Sequence, residues 1–238
     1  MLKKLGIWST YFMIWEVSAI VVNKPIFFPS FHEVIKAMVV YLGLSSFWVA
    51  LGTTLLRVFL GTGIAFILAL GLALASYHSK VLTLWLNPLL LVSKTIPNIT
   101  YILVILIWFS RESSVLVISL LVVFPVLYQQ IYTGLLGLHP DLLEVERLYP
   151  ETWFNHVTKV LLPMIKLDLR EGLILALSLG FKVGVMAEIL GQVQPGLGYL
   201  LYSSKLNFET ANIFALTAWM ICGVYAIEKG LRRWIKID

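Results

Sequence analysis

The feature that most constrains this chain is a series of apolar runs, each roughly 20 residues long. Because an α-helix rises ~1.5 Å per residue, such a run matches the ~30 Å hydrocarbon layer of a membrane. Runs of this length favour helices over a barrel of short alternating strands. With 59% hydrophobic and 13% charged residues, the chain has more apolar surface than one water-soluble core can bury. The sequence therefore predicts an all-α integral membrane protein.

Six transmembrane helices are predicted, at about residues 5–22, 48–76, 82–109, 114–135, 164–190 and 211–228. The first follows Lys3 and Lys4 as a signal peptide would, but no small-residue cleavage site comes after it, so we expect a retained helix. An amphipathic stretch over 31–42 is expected to lie along the membrane interface. The predicted organisation is an N-terminal helix with its outer connecting segment over 1–47, followed by a five-helix core over 48–238.

Positive charges in the connections predict the orientation of the chain. With the N-terminus in the cytosol, the outer side holds only Lys24, Lys36, Arg111 and Lys205, and the other connecting lysines and arginines lie inside. We therefore expect a multi-pass protein of the inner (cytoplasmic) cell membrane with both termini in the cytosol. Anchoring to the inner leaflet accounts for the net charge of +5, so no nucleic acid partner is needed to explain it.

Two spans carry a ladder of small residues at four-residue spacing, which lets helix backbones approach closely inside a membrane. The ladders are Gly61, Ala65, Ala69 and Ala73 in the second span, and Gly172, Ala176, Gly180 and Gly184 in the fifth. These two helices are expected to be central. One further step of four reaches Arg57 and Glu188, which are candidates for a charge pair in the outer part of the membrane. The alternative places Arg57 at the outer interface and Glu188 in water at its helix end.

Proline is predicted to interrupt two spans, at Pro97 next to Asn98 and at Pro125. Broken helices at membrane depth are tolerated mainly where neighbours or a cavity satisfy the freed backbone groups, so they favour a transport path. Lys94 and Lys182 fall near mid-membrane, where a lysine costs about 2.5–3.5 kcal/mol on insertion scales. Either one or both of these lysines line a path and attract an anionic or carbonyl-rich solute, or each has an internal hydrogen-bond partner, or the span boundary lies one turn from its predicted position. The candidate residues of the path or gate are Arg57, Lys94, Pro97, Lys182 and Glu188.

No group of residues typical of an enzyme is found in the sequence. The histidines are His32, His78, His139 and His156, which are scattered over three connections on opposite sides of the membrane without metal-ligand spacing. The run Gly196-Leu197-Gly198 is too short for a nucleotide-binding loop and lies on the predicted outer side. We therefore expect no catalytic residue, metal or cofactor in this chain, and any ATP chemistry must come from another subunit.

A polar insert over 139–162 lies between the fourth and fifth spans, on the predicted cytosolic side. Pro150 divides it into two short helical pieces, each with an apolar side. The second piece presents Trp153 and Phe154, and exposed aromatic residues within a charged patch are typical anchors for a partner's groove. The alternative is an interfacial helix that rests on lipid headgroups.

The insert resembles the cytoplasmic signature of the membrane permeases of binding-protein-dependent ABC importers. That signature is Glu-Ala-Ala, three residues, Gly, nine residues, Ile, one residue and Leu-Pro. The same spacing here selects Glu144-Val145-Glu146, Pro150, Val160, Leu162 and Pro163. Residues similar to the nitrate, sulfonate and taurine branch of this family recur at 53–61, 88–97, Phe124-Pro125, Gly172-Leu173, Ala187-Glu188 and 196–199. The resemblance covers about residues 28–230.

The resemblance implies a type I importer permease fold in which the insert forms a two-piece coupling helix. In this family the coupling helix seats in a groove of a cytosolic ABC ATPase, which binds ATP and Mg, and an extracytoplasmic solute-binding protein delivers the solute. A second permease copy, and thus a homodimer, is also implied. Residues of the insert expected at the ATPase contact are Glu144, Val145, Glu146, Pro150, Trp153, Phe154, Leu162 and Pro163.

Three departures of the insert from the family signature matter for the expected contact. Val145 and Glu146 replace the two alanines, and Pro150 replaces the glycine. Proline lacks a backbone donor and cannot take the positive φ that glycine can, so either the partner ATPase has a matching groove or coupling is altered here. We expect the matching groove, because the spacing and the Leu-Pro end of the signature are intact. Lys182 is a further departure, because that stretch is usually apolar in this branch.

The leading hypothesis is a permease subunit of an ATP-driven importer that forms the path for a small polar, anionic solute such as a sulfonate or nitrate. A vitamin precursor such as a pyrimidine is the alternative within the family, because relatives in the same branch carry such solutes. An ATP-independent channel or secondary carrier is the alternative from another class. The chain itself is not expected to be an enzyme.

Overall fold

The computed structural model describes residues 2–138 and 152–234, of which 2–5, 8 and 234 only through their backbone. Within these ranges every regular element is helical and no strand occurs, which confirms the predicted all-α fold. The long helices are α1 (Leu2–Val22), α2 (Phe31–Leu42), α3 (Ser45–His78), α4 (Lys80–Thr95), α5 (Asn98–Trp108) and α6 (Arg111–Leu136). After the undescribed segment come α7 (Trp153–Asn155), a π-helical turn (His156–Leu161), α8 (Leu162–Met164), α9 (Lys166–Gly191), α10 (Leu197–Leu206) and α11 (Thr210–Trp234).

Four of the described helices, α3, α6, α9 and α11, are long and apolar enough to cross a membrane. Helices α4 and α5 pass the same test only together, and they are bent by 101° at the break between them. In α1 the side chains are described without a gap only over Ser9–Val22, and this apolar stretch by itself is shorter than a full span. By length and composition the described residues hold four to five spans, so the predicted number of six is not confirmed. The chain is nevertheless a multi-pass membrane protein.

The two prolines predicted to interrupt spans behave differently. Helix α4 ends at Thr95, and α5 begins at Asn98 directly after Pro97, so the predicted break is confirmed. Pro125, in contrast, is buried inside α6, which continues to Leu136, so the predicted interruption there is wrong. The proline removes one backbone hydrogen bond, worth about 1 kcal/mol net, and the buried side chains of the adjacent turns stabilise the helix by more than that.

The chain forms two compact units. Unit 1 comprises Met1–Leu55 and Val185–Ala226, and unit 2 comprises Leu56–Gly184 and Ile227–Asp238. Helices α3, α9 and α11 each contribute residues to both units.

In unit 1, α2 has the bounds that the amphipathic pattern predicts. Ser30 and Glu33 form a capping box, in which the serine side chain accepts from the Glu33 amide and the glutamate accepts from the Ser30 amide at 2.8 Å. The Glu16 carboxylate of α1 also accepts from the Phe31 amide at 3.1 Å. The start of α2 is therefore defined both by its own sequence and by α1.

In unit 2, the two ladders of small residues bring helix backbones together as predicted. Four ladder alanines have no exposed surface: Ala65, Ala69, Ala73 and Ala176. A Cβ built on Gly61 of α3 would lie 2.9 Å from the Ser119 Cβ of α6, and one on Gly180 of α9 would lie 3.0 Å from the Thr62 hydroxyl of α3. Only hydrogen atoms at these positions permit the close packing of α3, α6 and α9, which confirms that the second and fifth spans are central.

Candidate functional site

The break between α4 and α5 places a cation beside the start of a helix. Lys94 lies in the last turn of α4 and is exposed, and its ammonium donates a hydrogen bond to the Gln129 side-chain oxygen of α6 at 3.1 Å. Four residues later α5 begins at Asn98, and Pro97 at its N-cap makes no side-chain hydrogen bond within the described part of the chain. A lysine ammonium and the positive end of a helix dipole thus lie close together along the chain in unit 2.

Lys182 is also exposed, on α9 between the buried residues Phe181 and Val183. Its side chain therefore lies on a face of α9 that is not covered by the packed interior of unit 2. The sequence left open whether each lysine has an internal hydrogen-bond partner. For Lys94 the structure shows such a partner, the side chain of Gln129. Both side chains remain accessible to a solute, to lipid or to a second chain.

In unit 1, the carboxylate of Glu188 is fully buried at the end of α9, with 0% of its surface exposed. The Thr54 hydroxyl of α3 lies 3.0 and 2.9 Å from the two carboxylate oxygens and donates to them. The Gly198 amide, in the first turn of α10, donates to the same carboxylate at 3.0 Å. The Leu197 amide donates to the Thr54 hydroxyl at 2.9 Å. The first four backbone amides of a helix have no acceptor within the helix. At the start of α10, two of these amides donate instead to side chains of α3 and α9.

Two glycines leave the space that this carboxylate occupies. A Cβ built on Gly196 would lie 2.6 Å from the carboxyl carbon of Glu188. A Cβ on Gly198 would lie 2.5 Å from the Glu188 Cβ and 2.5 Å from the backbone oxygen of Val185. The Gly-Leu-Gly run that is too short for a nucleotide loop therefore serves to seat a buried acid.

The prediction that Glu188 is wet at its helix end is wrong, because the fold packs α3 and α10 over it. Arg57 lies on α3, and its surface is only partly exposed. The predicted pairing of Arg57 with Glu188 stays a prediction.

The predicted coupling insert is described only in its second half. Glu144, Val145, Glu146 and Pro150 lie outside the described residues. Trp153 and Phe154 begin the described half and are 64% and 68% exposed. Leu162 is half-buried and Pro163 is exposed, and both lie in α8. The second half therefore presents an exposed aromatic pair, as expected for a surface that contacts a partner.

Sequence reasoning missed several contacts that join distant residues. The rings of His78 and His156, which the sequence separates, lie edge to face with centroids 6.2 Å apart in unit 2. Among the described residues no group of three or more metal-ligating side chains occurs. The partners of Lys94 and Glu188, namely Gln129 and Thr54, carry no signal of their own in the sequence. Gln129 and Thr54 contact Lys94 and Glu188 only because the fold places them on neighbouring helices.

Comparison with known proteins agrees with this architecture. The profile of the family described as binding-protein-dependent transport system inner membrane component matches residues 61–228. The chain is 28% identical to a Bacillus subtilis permease protein named for aliphatic sulfonates transport, over 97% of this chain and 84% of the relative. It is 27% identical to an ABC transporter permease protein of Haemophilus influenzae, over 99% and 97%. It is also 27% identical to a formylaminopyrimidine transport permease protein of Halalkalibacterium halodurans, over 91% and 88%.

The family match covers most of the chain, from the middle of α3 to near the end of α11. The resemblance seen in the coupling insert is thereby confirmed over the helical core as well. The chain therefore belongs to the family of binding-protein-dependent transport system inner membrane components, and it is a transmembrane permease subunit of an ABC importer.

Proposed function

We propose that this permease forms the translocation path for a small anionic solute of the sulfonate class. The observation that carries the proposal is the placement of Lys94 at the break between α4 and α5. In secondary transporters, a broken helix commonly directs the N-terminus of one half at an anionic group of the solute, and the same electrostatics apply to a broken helix here. Here the second half, α5, begins at Asn98, and a lysine precedes the break.

The hydrogen bonding of Lys94 leaves it able to bind a solute. An ammonium group has three donors, and one of them is taken by Gln129. Within the described residues no second acceptor is in hydrogen-bond reach, so two donors face outward from an exposed side chain. Gln129 thus orients the ammonium without neutralising it, because an amide carries no charge. A sulfonate, with three acceptor oxygens and one negative charge, complements such a group.

The rest of the transport system is part of the same proposal. A cytosolic ABC ATPase binds ATP and Mg and contacts the insert through Trp153 and Phe154, and an extracytoplasmic binding protein delivers the solute. Two copies of the chain form a homodimer in the inner membrane with their termini in the cytosol. The two exposed aromatic side chains support the ATPase contact. The excess of lysine and arginine on the inner connections supports the orientation.

Uptake by the reconstituted complex tests the solute. The permease, its ATPase and its binding protein are placed in proteoliposomes, and uptake of labelled ethanesulfonate is measured at saturating loaded binding protein. Because hydrogen bonds to charged groups are worth about 1.5–3 kcal/mol, Lys94→Met should lower the rate by about tenfold or more. Lys166→Met, at an exposed lysine at the start of α9, is the matched control and should keep the wild-type rate. Wild-type rates for both Lys94→Met and Lys182→Met would remove the lysines from the path.

A pyrimidine precursor is the second candidate, because one relative is named for formylaminopyrimidine transport. A neutral pyrimidine has no charge to pair with Lys94. Uptake of formylaminopyrimidine that is unchanged by Lys94→Met, with no uptake of ethanesulfonate, would favour this candidate over the first.

A further inference from the structure

A single cluster of contacts in unit 1 joins three helices at one point. It consists of Thr53 and Thr54 of α3, Glu188 of α9, and the loop and first turn over 195–198 that begin α10. We call this cluster the Glu188 corner. The hydroxyl of Thr53 lies 3.0 Å from the Pro195 carbonyl oxygen and equally 3.0 Å from the Val49 and Ala50 oxygens of its own helix, so Thr54 is the threonine that holds the loop. The other contacts are the hydrogen bonds of Thr54 and Glu188 described above.

Packing alone does not require a charge at this position. A buried carboxylate loses its hydration, and an apolar or neutral side chain of similar volume is often equally good for stability. Ionisable residues in membrane proteins are costly and usually serve function. Here the carboxylate accepts from Thr54 and Gly198, both of which belong to elements other than α9. The charge is therefore used to connect helices rather than to stabilise α9 itself.

Each contact in the corner is either directional or sterically closed. The Thr54 hydroxyl both donates to the carboxylate and accepts from the Leu197 amide, which requires one defined orientation. Gly196 and Gly198 approach Glu188 so closely that a methyl group fits at neither position. Because its hydrogen bonds are directional and its glycines leave no free space, the cluster has no intermediate arrangement. Its hydrogen bonds are either formed or lost together.

The loop held by the corner forms part of a cavity of about 420 Å³ in unit 1. The cavity is lined by Ser45, Ser46 and Ala50 of α3 and by Gln194, Pro195 and Tyr199. The predicted topology places this cavity on the outer side. The shape of that part of the permease thus depends on the hydrogen bonds of Thr54 and Glu188.

We propose that Glu188 and Thr54 are positioning residues for transport, because they lock loop 195–198 and the start of α10 to α3 and α9. The locked corner moves as one rigid body through the ATP-driven cycle, so that motion of α9 is transmitted to the loop without loss. The inference depends on the importer activity and, for its functional assay, on the proposed ATPase partner. It does not depend on the solute being an anion.

The first experiment measures the lock in the purified chain and in the complex with its ATPase. Hydrogen exchange of the Leu197 and Gly198 amides should be slow in the wild type, both without nucleotide and with ATP bound. Thr54→Val keeps the volume but removes the hydroxyl, and it should speed exchange at these amides by about tenfold or more. Thr54→Ser keeps the hydroxyl and should preserve the protection. Thr62→Val is the matched control, because Thr62 is equally buried and its hydroxyl has no hydrogen-bond partner among the described residues.

The second experiment measures the number of solute molecules taken up per ATP hydrolysed in proteoliposomes. Thr54→Val should lower this ratio by about tenfold or more, since it removes both the hydrogen bond to the Glu188 carboxylate and the one from the Leu197 amide. Thr54→Ser and Thr62→Val should stay within about twofold of the wild type. The ratio is read with ethanesulfonate or, if the wild type carries formylaminopyrimidine instead, with that solute. Failure of the anion proposal is thereby separated from failure of the corner.

Two results would overturn the inference. Fast exchange at Leu197 and Gly198 in one nucleotide state of the wild type would show that the corner opens during the cycle. A Thr54→Val protein that loses protection but keeps the uptake ratio of Thr62→Val would show that the lock serves folding alone. Should Thr54→Val fold poorly because its methyl group faces the carboxylate, Thr54→Ala replaces it, since alanine also removes both hydrogen bonds of the hydroxyl, and the same two readouts decide.

Discussion

Replacing Gly198 with alanine should destabilise the protein, because the added methyl group has no space. A Cβ at this position lies 2.5 Å from the Glu188 Cβ, 2.5 Å from the backbone oxygen of Val185 and 2.8 Å from the backbone nitrogen of Ile189. Two of these three atoms belong to the backbone of α9, so a change of side-chain rotamer cannot relieve the contact. The start of α10 must therefore move away from α9.

The size of the effect follows from three contributions. Overpacking costs about 1–3 kcal/mol, and the displacement lengthens the hydrogen bond from the Gly198 amide to the Glu188 carboxylate, a type worth about 1.5–3 kcal/mol. Alanine offsets about 1 kcal/mol of this through its higher helix propensity. The expected loss in the free energy of unfolding is therefore about 1.5–5 kcal/mol. At about 2–4 °C per kcal/mol, the Tm should fall by at least about 3 °C.

The assay is thermal unfolding of the purified protein in detergent, followed by tryptophan fluorescence. Gly71→Ala is the matched control, because Gly71 is exposed on α3 and an added Cβ meets nothing within 4 Å in the described part of the chain. Its Tm should stay the same or rise, since only the helix propensity changes. Equal Tm values for Gly198→Ala and Gly71→Ala would refute the account of the corner's packing.

Three further predictions concern other parts of the chain. Gly61→Ala should lower the Tm, because its Cβ would lie 2.9 Å from the Ser119 Cβ and 3.0 Å from the Leu116 backbone oxygen, and adding Ser119→Gly should recover only part of the loss in the same unfolding assay. Glu171→Gln should change the free energy of unfolding by less than about 1 kcal/mol in denaturant titrations, because its ion pair with Arg232 is about half exposed, at 48% and 50%. Trp153→Ala should leave the Tm unchanged, because its side chain is 64% exposed, but should reduce the amount of ATPase that co-purifies, and equal co-purification would contradict the coupling role.

The break at Pro97 and the helix at 31–42 show which features a sequence can predict. The first depends on a proline beside a short polar residue, and the second on a capping pair and an amphipathic period within twelve residues. Both signals act over one or two helical turns. Pro125 marks the limit of such reasoning, because the same residue type lies inside a continuous helix when the packing around it is strong enough.

The coupling insert and the two lysines were predicted only in part from the sequence. Spacing along the chain identifies Trp153 and Phe154, and the structure confirms that both are exposed. The mid-span position of Lys94 signals that something must offset its cost, but not that the partner is Gln129 of α6. A lysine in an apolar run indicates a cost that something must offset, whereas a glutamine gives no indication of which residue it will contact.

The sequence by itself determined the class of the protein, its apolar helices, the two ladders of small residues and the family signature, because each of these is a local pattern of hydrophobicity, size or spacing. Only the tertiary structure decided that Glu188 is buried and that its carboxylate accepts from the Thr54 hydroxyl and from the Gly198 amide of α10. Thr54 and Leu197 are 143 positions apart in the chain, and no local pattern links them. Such contacts exist only because packing brings α3, α9 and α10 together, and packing depends on the whole chain.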